Sequence, residues 1–203
     1  MANYTVGDLI ESGALTPRAL QSCAESIRDA RTVLVTGITG SGKTTLLRAL
    51  AGLVPPGESM LVLDDCGDLG LQGPQRRPVA VRGPGPARSP RETAARALDG
   101  APRVLVIDNV CPPEAGTVLR ALGSGRHAGS LLGVGAESVD GALRSLAAWW
   151  SQGDGLAWAD ACRGVAEAIR LGVGVARTAP GIHRVAEVAH VKAAKGGWAL
   201  HAA

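Results

Sequence analysis

An apolar run, a glycine-rich loop and a helix-forming segment follow one another directly near the start of the chain. Residues 32–36 (TVLVT) are β-branched or apolar, as is typical of a buried strand. Residues 37–44 (GITGSGKT) then match the pattern Gly, four residues, Gly-Lys-Thr, and a helix is expected over about 43–53. Glycines let the backbone turn tightly and point several N–H groups at phosphate oxygens, while the following helix adds its positive end. The sequence therefore predicts a phosphate-binding loop, called here the phosphate loop (residues 37–44).

The chemistry of this loop assigns a role to individual side chains. Lys43 is expected to reach the β- and γ-phosphates of a nucleotide, and the Thr44 hydroxyl is expected to ligate Mg²⁺. The residues predicted to bind nucleotide are Gly37, Thr39, Gly40, Ser41, Gly42, Lys43, Thr44 and Thr45. Nucleotide binding is the firmest functional prediction that the residues allow.

Further strands and helices alternate along the chain. Strands are expected within residues 59–65 (SMLVLDD), 103–109 (RVLVIDN) and 130–135 (SLLGVG), and the last part of the chain alternates and turns at 179–181 like a β-hairpin. Residues 70–90 are rich in Gly, Pro and Arg and are expected to form a loop around a short edge strand. Helices are expected over 6–12, 16–30, 90–99, 112–123, 138–150 and 156–169. This order predicts an α/β fold with a mostly parallel sheet flanked by helices and an antiparallel hairpin at one edge.

Composition narrows the class of protein. The chain has 203 residues and a formal net charge of +3, which suits one globular domain and gives no ground for expecting a nucleic-acid partner. No apolar run is long enough to span a bilayer, and the N-terminus lacks the features of a secretory signal. The four widely spaced cysteines are expected to be free thiols in a reducing cytoplasm, with a metal site or disulfides as the less favoured alternative.

Hydrolysis needs more than a phosphate loop, because an acid must lie near Mg²⁺ and a group must orient water. Asp108 ends a predicted buried strand, where a carboxylate could hold Mg²⁺ through water; a plain strand-end cap is the alternative. Asn109 follows, and its amide can hydrogen-bond a water but cannot take its proton.

A second acidic cluster follows the strand within residues 59–65. Asp64, Asp65 and Asp68 lie after the carboxyl end of that strand, where ligands bind in open α/β sheets. One of them could act as base or metal ligand, with a solvated loop as the alternative. Arg82 and Arg91 are candidates to stabilise charge within the subunit or on a neighbour, although a surface role is as reasonable for either. His127 could contact phosphate or be structural.

Seven segments in order, one of which contains the phosphate loop, resemble the secretion and pilus-assembly ATPases of type II and type IV secretion systems. Within that family the chain most resembles the tight-adherence (Flp) pilus branch. The resemblance runs from about residue 4 to residue 191. The segments are YTVGDLIESGALTP (4–17), VLVTGITGSGKTTLLRAL (33–50), LVLDDCGDLGLQ (61–72), VAVRG (79–83), GSGRHAGSLLGVGAESVDGALRSL (123–146), ADACRGVAEAIRLGVGVAR (159–177) and HRVAEVAHV (183–191). The family implies a RecA-like P-loop NTPase fold, ATP and Mg²⁺ as ligands, and a hexameric ring.

The chain departs from the family at several positions. The glutamates of the family's acidic box correspond to Asp64 and Asp68, and its Gly-Glu pair corresponds to Asp108-Asn109. The family's phosphate-sensing histidine corresponds to Gly135. Arginines that usually precede the third strand correspond to Asp99 and Ala101, whereas Arg82 and Arg91 still match family arginines.

The resemblance also implies an organisation and a set of partners. Residues 1–30 correspond to a helical lead-in, 31–192 to a RecA-like ATPase domain and 193–203 to a C-terminal tail. The family's N-terminal domain has no counterpart, so the chain is expected to be either a short stand-alone relative or part of a longer one. Expected partners are further copies or a paralogous ATPase and the inner-membrane platform proteins of the system. The expected location is the cytoplasm, or the inner face of the membrane through those partners.

Three functions remain open from the sequence. The first is a Mg²⁺-dependent ATPase that acts as a motor. The second is a nucleotide-binding subunit of low activity, which Asn109, Gly135 and the missing arginines favour. The third is a small-molecule kinase, for which no acceptor site or lid is recognisable beyond residues 70–90. ATP rather than GTP rests on the resemblance, since no guanine-reading motif is found.

Overall fold

The sheet of the protein carries eight strands in the order β3-β2-β4-β5-β1-β6-β7-β8. The computed structural model describes residues 4–81, 89–100 and 102–203. The strands are β1 (Val33–Thr36), β2 (Met60–Leu63), β3 (Arg76–Val79), β4 (Val104–Ile107), β5 (Leu131–Val134), β6 (Leu171–Ala179), β7 (Ile182–Ala194) and β8 (Gly197–Ala202). The six strands from β3 to β6 in this order are parallel, and β7 and β8 add antiparallel pairs. The predicted α/β class, parallel sheet and antiparallel hairpin are confirmed.

Helices cover both faces of the sheet. They are α1 (Val6–Glu11), α2 (Pro17–Arg28), α3 (Lys43–Ala51), α4 (Pro90–Leu98), α5 (Pro112–Gly123), α6 (Val139–Asp154) and α7 (Trp158–Ala168). Helices α1, α2 and α3 share one apolar core with one face of the strands, and α4 to α7 share a second core with the other face. Strands β1, β2 and β4 are buried at all four positions, which explains their continuous apolar sequences. None of the helices in the described ranges is long and apolar enough to cross a membrane.

Helix starts follow from local side chains. Thr16 accepts a hydrogen bond from the Ala19 N–H at the start of α2, and Pro17 occupies the first helical position. Ser89 and Glu92 form a capping box at the start of α4. These signals explain why the helices begin within a residue or two of the positions expected from the sequence.

The C-terminal residues differ from the sequence expectation. Residues 193–203 were expected to be a tail, but β7 continues to Ala194 and residues 197–202 form β8. Trp198 anchors β8 by donating a hydrogen bond of 2.9 Å from Nε1 to Asp140 on α6. The Arg144 guanidinium lies 5.9 Å from the Trp198 ring centroid, a cation–π distance. The sheet therefore takes in almost the whole C-terminus.

Candidate nucleotide-binding site

The phosphate loop connects β1 to α3 across the carboxyl end of the sheet. Gly42 is the N-cap of α3 with φ of 102°, and no side chain caps the first turn. The N–H groups of that turn are therefore available to an anion. Gly37 packs so closely that a Cβ there would overlap the Val175 carbonyl oxygen and the Ser41 side chain. These two glycines explain why the loop needs the spacing seen in the sequence.

Lys43, the first residue of α3, folds back over the loop. Its Nζ donates a 3.1 Å hydrogen bond to the Ile38 carbonyl oxygen. Partial burial lowers the pKa of the ammonium, and the nearby Asp108 carboxylate acts in the opposite direction. The cation therefore lies at the mouth of the loop, where a bound phosphate would compete for it.

The loop and the end of β4 meet through one hydrogen bond. The Thr44 hydroxyl donates to Oδ1 of Asp108 over 2.8 Å, although the two residues are 64 positions apart. Desolvation raises the pKa of Asp108, and the carboxylates of Asp64 and Asp68 raise it further, against the effects of the Thr44 hydrogen bond and Lys43. A carboxylate in such surroundings is stabilised by a cation.

The donor set suits Mg²⁺ bound together with phosphates. A hydroxyl and a carboxylate oxygen are hard ligands of the kind Mg²⁺ takes, usually as one or two protein groups beside phosphate and water. Within the described residues no group of three or more His, Cys, Asp or Glu side chains could hold a metal by itself. The arrangement at Thr44 and Asp108 thus fits a metal that enters with a nucleotide.

A cavity of about 410 Å³, called here the acid cavity, opens between the phosphate loop and the ends of β2 and β4. Four acidic side chains and one amide line it together with Lys43, Thr44 and Gly135. The lining acids and amide are Asp65, Asp68, Asp108, Glu114 and Asn109. The structure thus brings most of the sequence-predicted polar residues to one place.

Asp64 and Asp65 are adjacent but face different surroundings. Asp64 is buried and accepts hydrogen bonds from the Asp68 N–H at 3.1 Å and the Leu69 N–H at 2.8 Å. Its side chain closes the loop after β2 and does not line the acid cavity. Asp65 lines that cavity and accepts a 2.6 Å hydrogen bond from the Val81 N–H. Of the two, Asp65 is the one that lines the acid cavity, and a role of either acid as base or metal ligand stays a prediction.

Glu114 is a functional candidate that the sequence analysis missed. It lies in the first turn of α5, is 2% exposed and accepts a 2.8 Å hydrogen bond at Oε1 from the Cys111 N–H. Asn109 lines the same cavity, and its Nδ2 donates to the Cys111 sulfur over 3.3 Å. The available signal was the capping-box spacing, three residues after the N-cap, but Cys at the N-cap made it easy to overlook.

Gly135 leaves open space on the acid cavity. A Cβ at this position would meet no atom within 4 Å. By contrast, a Cβ at Gly133 would overlap the Asp108 carbonyl oxygen, so that glycine lets the ends of β4 and β5 approach. The position that corresponds to the family's histidine therefore has room for a larger side chain.

Two other predicted residues, Arg91 and His127, do not line the acid cavity. Arg91 forms an ion pair of 2.7 Å with Asp154 and donates to the Gly153 carbonyl oxygen, outside the acid cavity, so the structure does not bring it to the phosphates of its own subunit. His127 is buried and bonds the Pro102 carbonyl oxygen at 3.0 Å, before the start of β4 and away from the phosphate loop; its role is structural. Arg82 lies outside the described residues.

A second cavity of about 650 Å³, called here the hairpin cavity, lies on the other side of the phosphate loop. The turn between β6 and β7 and residues around α1 form its outer wall, and Lys43 and Thr44 border both cavities. His183, from the start of β7, reaches the loop and bonds the Ser41 carbonyl oxygen at 3.0 Å. Sequence analysis could not find this contact, because the two residues are 142 positions apart.

Comparison with known proteins places the chain among secretion proteins. Residues 2–156 match the model of the family described as "Type II/IV secretion system protein". Rv3659c of Mycobacterium tuberculosis, described as a candidate conjugal transfer protein, is 31% identical over 202 residues, 96% of this chain and 56% of the relative. The type IV secretion system protein PtlH of Bordetella pertussis is 35% identical over 127 residues, 60% of this chain and 37% of the relative. The chain therefore spans about half the length of these curated relatives or less.

Solved structures show the same fold. The VirB11 ATPase from the Brucella suis type IV secretion system, in complex with sulphate, superposes with a TM-score of 0.75 and 24% identity, covering 89% of this chain and 53% of VirB11. The pilus retraction motor PilT with bound ADP superposes with a TM-score of 0.62 and 17% identity, covering 89% and 51%. At these identities the likeness concerns the fold alone.

Proposed function

Because this chain belongs to the type II/IV secretion system protein family, we propose that it is a Mg²⁺-dependent ATPase domain that drives a secretion or pilus-assembly system. One observation carries the proposal: the Thr44 hydroxyl meets the Asp108 carboxylate at 2.8 Å beside the uncapped start of α3. A phosphate loop, a strand-end acid and an acid-lined cavity are thereby combined at a single site.

Phosphate binding is assigned to the loop backbone and Lys43. The first-turn N–H groups of α3 and the loop amides donate hydrogen bonds to the phosphate oxygens. Lys43 exchanges its contact with the Ile38 carbonyl for the β- and γ-phosphates. The residues proposed to bind nucleotide are those predicted from the sequence: Gly37, Thr39, Gly40, Ser41, Gly42, Lys43, Thr44 and Thr45.

Thr44 and Asp108 are the proposed ligands of Mg²⁺, Asp108 through a water molecule. When bound, Mg²⁺ neutralises charge on the β- and γ-phosphate oxygens. The Thr44 hydroxyl would offer its oxygen to the ion, and the Asp108 carboxylate would hold the ion through water. The repulsion that Asp108 experiences from Asp64 and Asp68 makes this position attractive to a cation.

Asn109 and Asp65 are proposed to orient the attacking water and to accept its proton. The Asn109 amide orients the water by hydrogen bonding but cannot take its proton. Asp65 lines the same cavity and carries a carboxylate that can accept that proton as the γ-phosphoryl group is transferred to water. Asp68 and Glu114 complete the acidic wall.

A cationic group for the transition state is proposed to come from outside the described site. Arg91 is engaged with Asp154 in its own subunit, so a contribution from it requires a neighbouring subunit. This suits assembly into a homo-oligomeric ring, or with a paralogous ATPase. By resemblance we assign the chain to the tight-adherence pilus branch, with inner-membrane platform proteins as partners and the cytoplasm as its location.

A nucleotide-binding subunit of low activity is the second candidate. It is favoured by Asn109 in the acid cavity and by the open space at Gly135. Loss of one group that stabilises transition-state charge costs on the order of 10²–10³ in rate, so several losses would leave binding without useful turnover.

Phosphate release at saturating Mg²⁺ and ATP separates the two candidates. We expect turnover by the native chain that Lys43→Ala abolishes, because the γ-phosphate loses its cationic partner. The matched control is Lys192→Ala, which removes an exposed lysine from the part of β7 that pairs with β8 and should leave turnover unchanged. Nucleotide binding without Lys43-dependent turnover would refute the ATPase and support the second candidate.

A further inference from the structure

The hairpin of β6 and β7 supports the phosphate loop from behind at three points. Gly37 lies against the Val175 carbonyl oxygen of β6. His183 of β7 bonds the Ser41 carbonyl oxygen through Nδ1 at 3.0 Å. The same imidazole faces Gly42, where an added Cβ would lie 3.5 Å from the His183 Cβ. The loop is thus held by a wall that is far away in sequence.

The bond between His183 and Ser41 fixes the orientation of one peptide unit. A carbonyl oxygen only accepts, so Nδ1 of His183 must carry the proton. The peptide between Ser41 and Gly42 is planar and trans, so its C=O and N–H groups point in opposite directions. Holding the carbonyl toward the hairpin therefore directs the Gly42 N–H away from it, toward the interior of the loop.

Burial makes this contact important to the loop. Ser41 is fully buried, so its carbonyl could not readily exchange the imidazole for water. A buried carbonyl without a partner destabilises the structure, because its lost hydration is not replaced. If the imidazole donor were removed, the peptide would gain by turning toward another partner. The Gly42 N–H would then turn as well.

The strand that carries His183 is itself anchored on two sides. The Val185 N–H donates to the Ala14 carbonyl oxygen at 2.8 Å, in the segment between α1 and α2. Oε2 of Glu187 accepts a 2.9 Å hydrogen bond from the Val139 N–H at the start of α6. His183 is therefore presented from a fixed support, as a group that sets the geometry of a binding loop requires.

We propose that His183 is a positioning residue for phosphate binding, which aims the Gly42 N–H at the β-phosphate of a bound nucleotide. The proposal rests on the nucleotide-binding part of the proposed function and does not depend on hydrolysis. A net hydrogen bond of this kind corresponds to roughly a 3- to 10-fold change in dissociation constant.

Calorimetric titration of the native chain and four variants with two ligands tests the proposal. The ligands are ADP and inorganic tripolyphosphate, which lacks a base and a sugar. His183→Phe keeps a ring against Gly42 but has no donor, and His183→Leu is a second donor-free variant. His183→Asn offers an amide N–H near the position of Nδ1. His190→Leu changes another partly buried histidine of the same strand, which pairs with Leu171 at the far end of β6.

We expect both donor-free variants to bind both ligands roughly 3- to 10-fold more weakly than the native chain. His183→Asn and His190→Leu should bind as the native chain does. Unfolding midpoints without ligand identify any variant whose fold is damaged, and a purely structural role would lower the midpoint without rescue of affinity by Asn.

Several results would overturn the proposal. These are unchanged affinity in both donor-free variants, a loss in His183→Asn equal to that in His183→Phe, or weaker binding of ADP with unchanged tripolyphosphate. Failure of the native chain to bind either ligand would also overturn it. Tight binding without ATP turnover would refute the proposed ATPase and leave the role of His183 intact.

Discussion

The two sides of the phosphate loop are built from different parts of the same sheet. On the side of the acid cavity, β2, β4 and β5 are parallel strands of four residues, buried at every position. On the side of the hairpin cavity, β6 and β7 form an antiparallel pair of nine and 13 residues. The first five residues of β6 are buried, whereas most of β7 is exposed or half-buried. Short parallel strands end together and gather side chains, whereas the long hairpin offers a backing surface. We therefore expect chemistry on the first side and loop geometry on the second.

Asp108→Asn should have the largest effect on turnover. The variant keeps an oxygen for the Thr44 hydroxyl but loses the charge proposed to hold the water shell of Mg²⁺. We expect ATP turnover to fall by about 100-fold or more while the chain stays folded. Phosphate release and circular dichroism measure both properties. Turnover close to that of the native chain would remove the acid cavity from the mechanism.

The same variant has a second, pH-dependent signature. Desolvation and neighbouring carboxylates raise the pKa of Asp108 above its ordinary value of 3.8, so its ionisation destabilises the ligand-free fold. Stability of the native chain should therefore fall as pH rises above 3.8 through the folded-state pKa. The Asp108→Asn variant has no carboxyl group at this position and therefore lacks this loss. Its gain in unfolding free energy over the native chain should be absent below pH 3.8 and complete above the folded-state pKa. Urea titrations over this range, with native chain as control, would detect it.

Gly37→Ala and Gly135→Ala make the same chemical change on opposite sides of the loop. The first places a methyl group against the Val175 carbonyl oxygen, and the second places it in open space. We expect Gly37→Ala to weaken ADP binding roughly tenfold or more, because the loop must shift to relieve the overlap. Gly135→Ala should stay within about twofold of the native chain. Equal effects would mean that the hairpin is not a rigid support.

Gly135→His should have a modest effect, in the opposite direction to Asp108→Asn. The open space at Gly135 admits an imidazole at the position where the family carries its phosphate-sensing histidine. If the acid cavity is an intact site that lacks this group, turnover should rise several-fold with nucleotide affinity little changed. Steady-state turnover with Gly135→Ala as the matched control measures this. A loss of turnover would show that the cavity is adapted to the smaller residue.

The fold could be predicted because its signals are local. Four-residue runs of Val, Leu and Ile between helix caps identify the buried strands, and the phosphate loop fixes where one strand meets one helix. Strand β8 was missed because its packing depends on Trp198 reaching Asp140, 58 positions away. Its sequence alone does not distinguish a strand from a tail.

The site could be predicted in part for the same reason. Lys43, Thr44 and Asp108 follow from motif and strand end, but the choice between Asp64 and Asp65 depends on which side of the chain each carboxylate faces. Arg91 was a candidate charge stabiliser, within the subunit or on a neighbour, with a surface role as the alternative. Its partner in the structure, Asp154, lies at the end of α6. His183 acts through a contact that only the packing of distant elements creates, so residue type gave no means of finding it. Glu114 bonds the Cys111 N–H three residues away, and only its capping-box spacing could have indicated it.

Strand β5 lies between β1, which leads into the phosphate loop, and β4, which leads to Asp108. The gap between these two strand ends is therefore two strand spacings, about 10 Å. Backbone hydrogen bonds between the strands set this distance, and no side chain in the cavity is needed to maintain it. The opening that Asn109 and Gly135 line therefore keeps its width whichever side chains stand at those positions.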